Sequence, residues 1–271
     1  MSRRIAIISD THLGHPQSKA LRAAQLAPLI QSGITDLVVN GDTAELQYHH
    51  LRSEAAKQLE KLETICEQAQ VQLTLISGNH DAMVTDIRHL SLADGQVFVT
   101  HGDAFHPGVA PWSTGAPQML ADFKLARASL NKPEDLYNLD IHLGIMQHVC
   151  HQDFVRQHET GVYDKLSLRR APRTVWEVVQ YWRQVPRLAA QFSQRYVPDA
   201  RVVIFGHSHH QGIWRRRGRL IINTGSYSFP GKPWAVIVEN TTLTVHRLRR
   251  RSGGYHLHRR AMLTHTLETG V

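Results

Sequence analysis

The chain reads as an α/β protein, and three observations carry that reading. Short apolar runs of buried-strand length recur at residues 5–8, 37–39, 97–99 and 202–205. In the first hundred residues they alternate with segments of helical periodicity, the order expected of a sheet with helices packed on it. Each run also leads into a polar cluster containing histidine or aspartate, and open α/β sheets place their ligands beyond the carboxyl ends of strands.

Residues 4–9 form the first expected strand. A helical segment over 18–31 follows, carrying Leu21, Leu26, Leu29 and Ile30, with Pro28 placed to shorten or kink it. Residues 34–40 are the next strand. Leu51, Ala55, Leu59, Leu62 and Ile65 or Cys66 then mark an amphipathic helix over 50–69. The run 71–77 is a buried strand that ends at Gly78. Segments 87–92 and 96–100 pair around Ala93-Asp94-Gly95, where Asp-Gly is a hairpin signal.

Between 104 and 200 the strand pattern gives way to several helices. The clearest begins at Thr174, with Glu177 three residues on as a capping box. Val175, Val178, Val179, Trp182, Val185, Ala189, Phe192 and Tyr196 form its apolar face, and Pro186 is expected to bend it. Such a stripe most often packs on its own protein. Trp176, Trp182 and the arginines 169, 170, 173, 183 and 187 add an interfacial character. Strands return at 201–205, 212–214, 219–223, 235–239 and 243–248. The basic tail from Arg250 loses periodicity and reads as partly disordered.

The 271 residues suffice for one large domain or a domain with an insertion. No run approaches the roughly 20 apolar residues of a membrane span. The apolar stretch after Arg4 is too short for a signal peptide, so a cytoplasmic location, with peripheral membrane contact allowed, is the default. Cys66 and Cys150 cannot make a disulfide framework and read as buried structural thiols. The formal charge of +8 favours anionic partners: a phosphate-containing substrate, an anionic lipid surface or, less favoured, nucleic acid. Oligomeric state is not legible.

Five clusters carry the chemistry: Asp10-Thr11-His12, Gly41-Asp42, Gly78-Asn79-His80-Asp81, His101-Gly102-Asp103 and Gly206-His207-Ser208-His209. Alone, each reads better as a cap or polar turn. Together and in this order they resemble the calcineurin-like metallophosphoesterase family. The resemblance implies a two-sheet sandwich flanked by helices, with residues 1–103 and 201–249 as the metallophosphoesterase domain, 104–200 as a helical insertion or lid, and 250–271 as a basic tail. It implies one metal held by Asp10, His12, Asp42 and His209, and a second held by Asp42, Asn79, His101 and His207. His80, with Asn79 beside it, would contact the phosphate and protonate the leaving oxygen, and Asp81 would orient His80.

Asp, Asn and His suit two divalent or transition-metal ions such as Mn, Fe, Zn or Co, and the lack of Cys disfavours a thiolate site. The implied reaction is hydrolysis of a phosphoester or phosphoanhydride by a metal-bridging hydroxide. The insertion is similar in position to that of UDP-2,3-diacylglucosamine hydrolases, although His80 stands where those enzymes typically carry arginine. A nuclease, a lipid-linked nucleotide pyrophosphatase and a non-catalytic metal-binding scaffold are the alternatives. Asp103 reads as a supporting residue rather than a ligand. His49, His50 and His210 read as solvated loop histidines, and Asn223-Thr224-Gly225-Ser226 as a loop beside the site.

Overall fold

The apolar runs become strands in the computed structural model, which describes residues 2–15, 21–160 and 171–268. β1 (Arg4–Ile8), β2 (Asp36–Asn40) and β3 (Gln72–Ile76) lie side by side and parallel. β9 (Trp234–Glu239) joins the free side of β1 antiparallel, and β10 (Thr242–Arg251) follows it. β11 (Gly254–Leu257) and β12 (Leu263–Thr266) both pair with β10 to complete a seven-stranded sheet. The second sheet has five strands in the order β4 (His89–Leu92), β5 (Val97–Thr100), β6 (Val202–Phe205), β8 (Arg219–Asn223) and β7 (Gly212–Arg216).

Strand alternation builds the layers. Ile5 and Ile7 of β1 point between the sheets, where they meet Val38, Val99, Val202 and Ile204. Ala6 and Ile8 point the other way, into a core shared with α1 (Ala27–Ile30) and α2 (His49–Gln68). The outer face of the second sheet, through Phe98, Val203 and Phe205, packs on α3 (Ala116–Ala128), α4 (Leu139–Thr160) and α5 (Ala171–Tyr196). The two-sheet α/β sandwich is therefore present, and the described residues between 104 and 200 are mainly helical.

Several local expectations change. Over 21–31 the chain forms a 3-10 turn, Ala23–Leu26, followed by the short α1, while residues 18–20 lie outside the described residues. Pro28 sits in the first turn of α1, where its missing N–H leaves no bond unmade, so it starts a helix rather than kinking one. α5 begins at Ala171, and Glu177 accepts from Arg173 at 2.8 Å instead of capping the helix. Arg169 and Arg170 lie outside the described residues. The stretch after Arg250 is not an irregular tail, because Arg249 pairs with His256 and Val245 with Leu263 in regular ladders. Its arginines occupy exposed positions, which a strand tolerates without loss of its backbone bonds.

Trp182 settles how the middle of α5 is used. Its indole N–H donates to the Ser208 carbonyl at 2.7 Å, and its ring stacks on His210 with centroids 4.7 Å apart. Trp176, one and a half turns away, is 62% exposed. Ile204 offers a test of the packing between the sheets, because it is fully buried on a strand flanked by β5 and β8. Ile204→Ala should cost about 2–5 kcal/mol. Urea unfolding should show a lower midpoint with the slope unchanged. An unchanged midpoint would show that the two sheets are not closely packed there.

Candidate metal centre

The five clusters sit at the carboxyl ends of β1, β2, β3, β5 and β6, three strands in one sheet and two in the other. Short bonds tie these ends together. The Asn40 amide donates to Thr100 O at 2.9 Å, Gly206 N donates to His101 O at 2.9 Å, and Asp10 N donates to Gly41 O at 3.1 Å. The backbone then bends in a way few side chains allow. Asp10, His12, Asp42, His207 and His209 have φ of 51°, 45°, 50°, 61° and 57°. Non-glycine residues rarely occupy this left-handed region, and such outliers gather at functional sites.

These bends aim the donors inward. Asp10, His12, Asp42 and His209 form one group and Asp42, His101 and His207 another, the donor atoms of each lying within 4.8 Å of one another. Asp42 belongs to both. Asn79 faces the second group, its Oδ1 2.8 Å from His207 Nδ1 and 3.3 Å from His101 Nε2. The outward nitrogens of three imidazoles have acceptors of their own: His12 Nδ1 has Glu45 at 2.7 Å, His101 Nδ1 has Asn40 O at 3.0 Å, and His207 Nε2 has Val109 O at 3.2 Å. An imidazole bonded in this way through one nitrogen presents the other as a lone pair to a cation. Carboxylate, imidazole and amide oxygen without thiolate form a donor set that fits a divalent or transition-metal cation.

A model of the calcineurin-like phosphoesterase family matches residues 3–211. The chain belongs to this family. No curated protein gives a sequence match. Among solved structures, a dimetal phosphatase from Danio rerio is similar with a TM-score of 0.49 and 11% identity, covering 98% of this chain and 99% of that one. Vacuolar Protein Sorting 29 from Cryptosporidium parvum gives 0.46 and 12%, with 98% of each chain covered. Yfce, a phosphoesterase from E. coli, gives 0.41 and 16%, covering 98% and 100%.

His80 stays outside the two donor groups that share Asp42 and falls in a third with His12 and Glu45. Its neighbour Asp81 does not orient it. The Asp81 carboxylate accepts backbone N–H groups from Gly78 at 2.7 Å, Thr43 at 2.6 Å and Asp42 at 3.2 Å, so it fixes two loops rather than an imidazole. The partner of His80 is Glu45. One Glu45 oxygen lies 3.0 Å from His80 Nδ1 and the other 2.7 Å from His12 Nδ1. Burial opposes charge on His80, but the carboxylates of Glu45 and Asp42 outweigh it and hold the imidazole up at about 10. Burial likewise pushes Glu45 up, and the charges of His80 and His12 reverse this and hold it below the usual carboxylate range.

Glu45 and Arg88 escaped the sequence reading. Arg88, buried inside the hairpin segment, donates to Asp103 at 2.7 Å and to Ser77 O at 2.8 Å. Asp103 thus supports the strand ends from outside both donor groups. Thr224 joins a hydroxyl chain, 2.6 Å from Ser9 Oγ, which in turn bonds the Asp10 carboxylate. His49 stacks on His158 and His210 on Trp182, so neither is merely solvated. A pocket of about 310 Å³ lies before the donors, between Asn79, His80 and His209 on one side and Trp112, Asp153 and Trp182 on the other.

Glu45→Gln is the sharpest test of this construction, since an amide keeps the shape and loses the charge that both imidazoles share. Titration with Mn²⁺ should show affinity about 10–100-fold weaker than in the parent. Parental affinity would show that Glu45 does not prepare His12 to bind a cation.

Proposed function

We propose that the chain hydrolyses a phosphoester or phosphoanhydride with two divalent or transition-metal ions, Mn, Fe, Zn or Co. Asp10, His12, Asp42 and His209 would hold one ion, and Asp42, Asn79, His101 and His207 the other. The observation that carries this reading is the single Asp42 carboxylate common to two converging donor groups. A carboxylate facing two donor groups could serve two cations and offset their repulsion. When bound, such ions neutralise phosphoryl oxygens and lower the pKa of water.

The protein's own residues account for the remaining requirements. With Nδ1 bonded to Glu45, His80 would turn its other nitrogen, Nε2, to the ester. As water adds to phosphorus and the bond to the leaving oxygen breaks, Nε2 gives that oxygen its proton. Asp42 also accepts the His80 backbone N–H at 2.9 Å, which fixes the general acid relative to the donor groups. Asp81 keeps the loops of Asp42 and His80 in register through its backbone bonds. Asn79, beside His80, would serve both as ligand and as a phosphate contact.

Two variants separate these roles. Asp42→Asn should lower metal content and turnover together in a folded protein, read by elemental analysis and hydrolysis of an aryl phosphate. Full occupancy by two ions with undiminished turnover would exclude the shared role. His80→Ala should keep its metal and lose roughly 10²–10⁴-fold in rate. The loss should be larger for alkyl than for activated aryl esters. An equal loss across leaving groups would make His80 a phosphate-positioning residue, and loss of metal would make it a ligand.

A further inference from the structure

His80 stands where two cavities meet. One is the pocket before the donor groups. The other, of about 400 Å³, shares Gln47, Asn79, His80 and Cys150 with it. This size lies within the roughly 300–1,000 Å³ of small-molecule sites. The two cavities differ in chemistry. The first sets carboxylate, imidazole and amide groups opposite Trp112, Met119, Val178 and Trp182, whereas the second has few polar groups and is walled largely by Leu46, Ala82, Met83, Val84 and Phe154. Its polar members include Arg52, whose guanidinium lies 5.5 Å from the Phe154 ring centroid and whose Nε donates to Leu46 O at 3.1 Å. Arg52 thereby braces the apolar wall at two points.

Ala82 lies in one core and Leu46 packs against another, while Met83 faces solvent. Met83 is 65% exposed although it follows the metal-site loop by only two residues. Phe154 comes from α4, the inserted helix whose Gln147 donates to Ala82 O at 2.6 Å. That bond seats α4 against the segment following His80 and brings Phe154 and Met83 into one cavity.

The direction of the reaction says what belongs there. The phosphoryl group must lie against the donor groups, and the leaving oxygen must lie at His80 Nε2. Whatever that oxygen carries therefore starts at the junction of the cavities. Resting on the hydrolytic reading above, we propose that the second cavity binds the alcohol part of the substrate, and that this alcohol is an apolar aryl or alkyl body. A polyol would bring most of its hydroxyls against Leu46, Val84 and Phe154, where they lose water, with Gln47, Arg52 and His151 the polar side chains near by. An apolar alcohol exchanges water for carbon contacts along the same wall.

The test uses the full chain, with Mn²⁺ for kinetics and without metal for binding. Octyl, 3-phenylpropyl and glycerol phosphates are all esters of primary alcohols, so their leaving oxygens are comparable and the cavity decides between them. Octyl and 3-phenylpropyl phosphates should exceed glycerol phosphate in kcat/KM by about tenfold or more, and the better of the two identifies the alkyl or aryl source. Metal-free protein should bind octanol or 3-phenylpropanol saturably by calorimetry and should not bind glycerol. Phe154→Ala and Met83→Glu should each reduce the preference by about tenfold. Met83 is exposed enough for its variant to keep the fold even if Phe154→Ala does not. Saturable alcohol binding lost in Met83→Glu, with none of these esters, an aryl phosphodiester or a nucleoside diphosphate hydrolysed, would support the cavity and overturn the hydrolytic reading. Hydrolysis of all three esters at equal kcat/KM, with no alcohol bound, would overturn the cavity assignment and leave that reading standing.

Discussion

A carboxylate taken out of water must find donors or positive charge, and Asp42 meets that demand in a way that organises the strand ends. It is 1% exposed. One oxygen accepts the His80 backbone N–H at 2.9 Å, while the other lies 3.3 Å from His101 Nε2 and 3.9 Å from His12 Nε2. Its own N–H donates to Asp81 at 3.2 Å. Loops following β1, β2, β3 and β5 thus depend on one side chain. Burial opposes its ionisation, and the surrounding imidazoles overcome this and hold it well below the usual carboxylate range. Negative charge concentrated in this way calls for positive charge in return, whether as protons on histidines or as cations among them.

Such convergence has a conformational cost. A non-glycine residue in the left-handed region costs on the order of 1–3 kcal/mol, and five of the proposed ligands adopt it. The closely packed layer between the sheets offsets that cost and fixes where each strand ends. Space is equally constrained. A Cβ on Gly206 would run into Asp10 Oδ2 and Ser9, and one on Gly78 into Asp42 Oδ1. Neither glycine has a positive φ, so they are needed for close approach rather than for an unusual turn.

The same distinction explains what could be read from sequence. Apolar runs ending in short polar clusters were legible because strand, turn and donor lie within a few consecutive residues. The hairpin at Ala93-Asp94-Gly95 and α2 were legible for the same local reason. Glu45 was not, since its partners His12 and His80 are 33 and 35 residues away. The available signal was its position between Ala44 and Leu46, an apolar setting for a carboxylate just after Asp42. Asp81 is legible as part of the turn, but not its bonds to the backbone of Thr43 and Asp42, which lie nearly forty residues earlier. β11 and β12 are not legible because each is only four residues long and mostly polar or opposite arginines, in ladders whose stability lies in backbone bonds.

Helices α4 and α5 lie outside the strand ends that carry the donors. They reach the site from two directions, through Trp182 on the Ser208 carbonyl and through Gln147 on Ala82 O. Each contact lies beside a loop that carries donors, yet each uses a backbone acceptor and leaves the metal-facing atoms alone. Donor geometry therefore rests on strand ends and buried carboxylates, which tolerate little change. The walls of the adjoining cavities rest on α4 and α5, whose side chains can change size or polarity while those two anchors persist. A fold divided in this way can keep one set of donors while the cavity walls beside them vary.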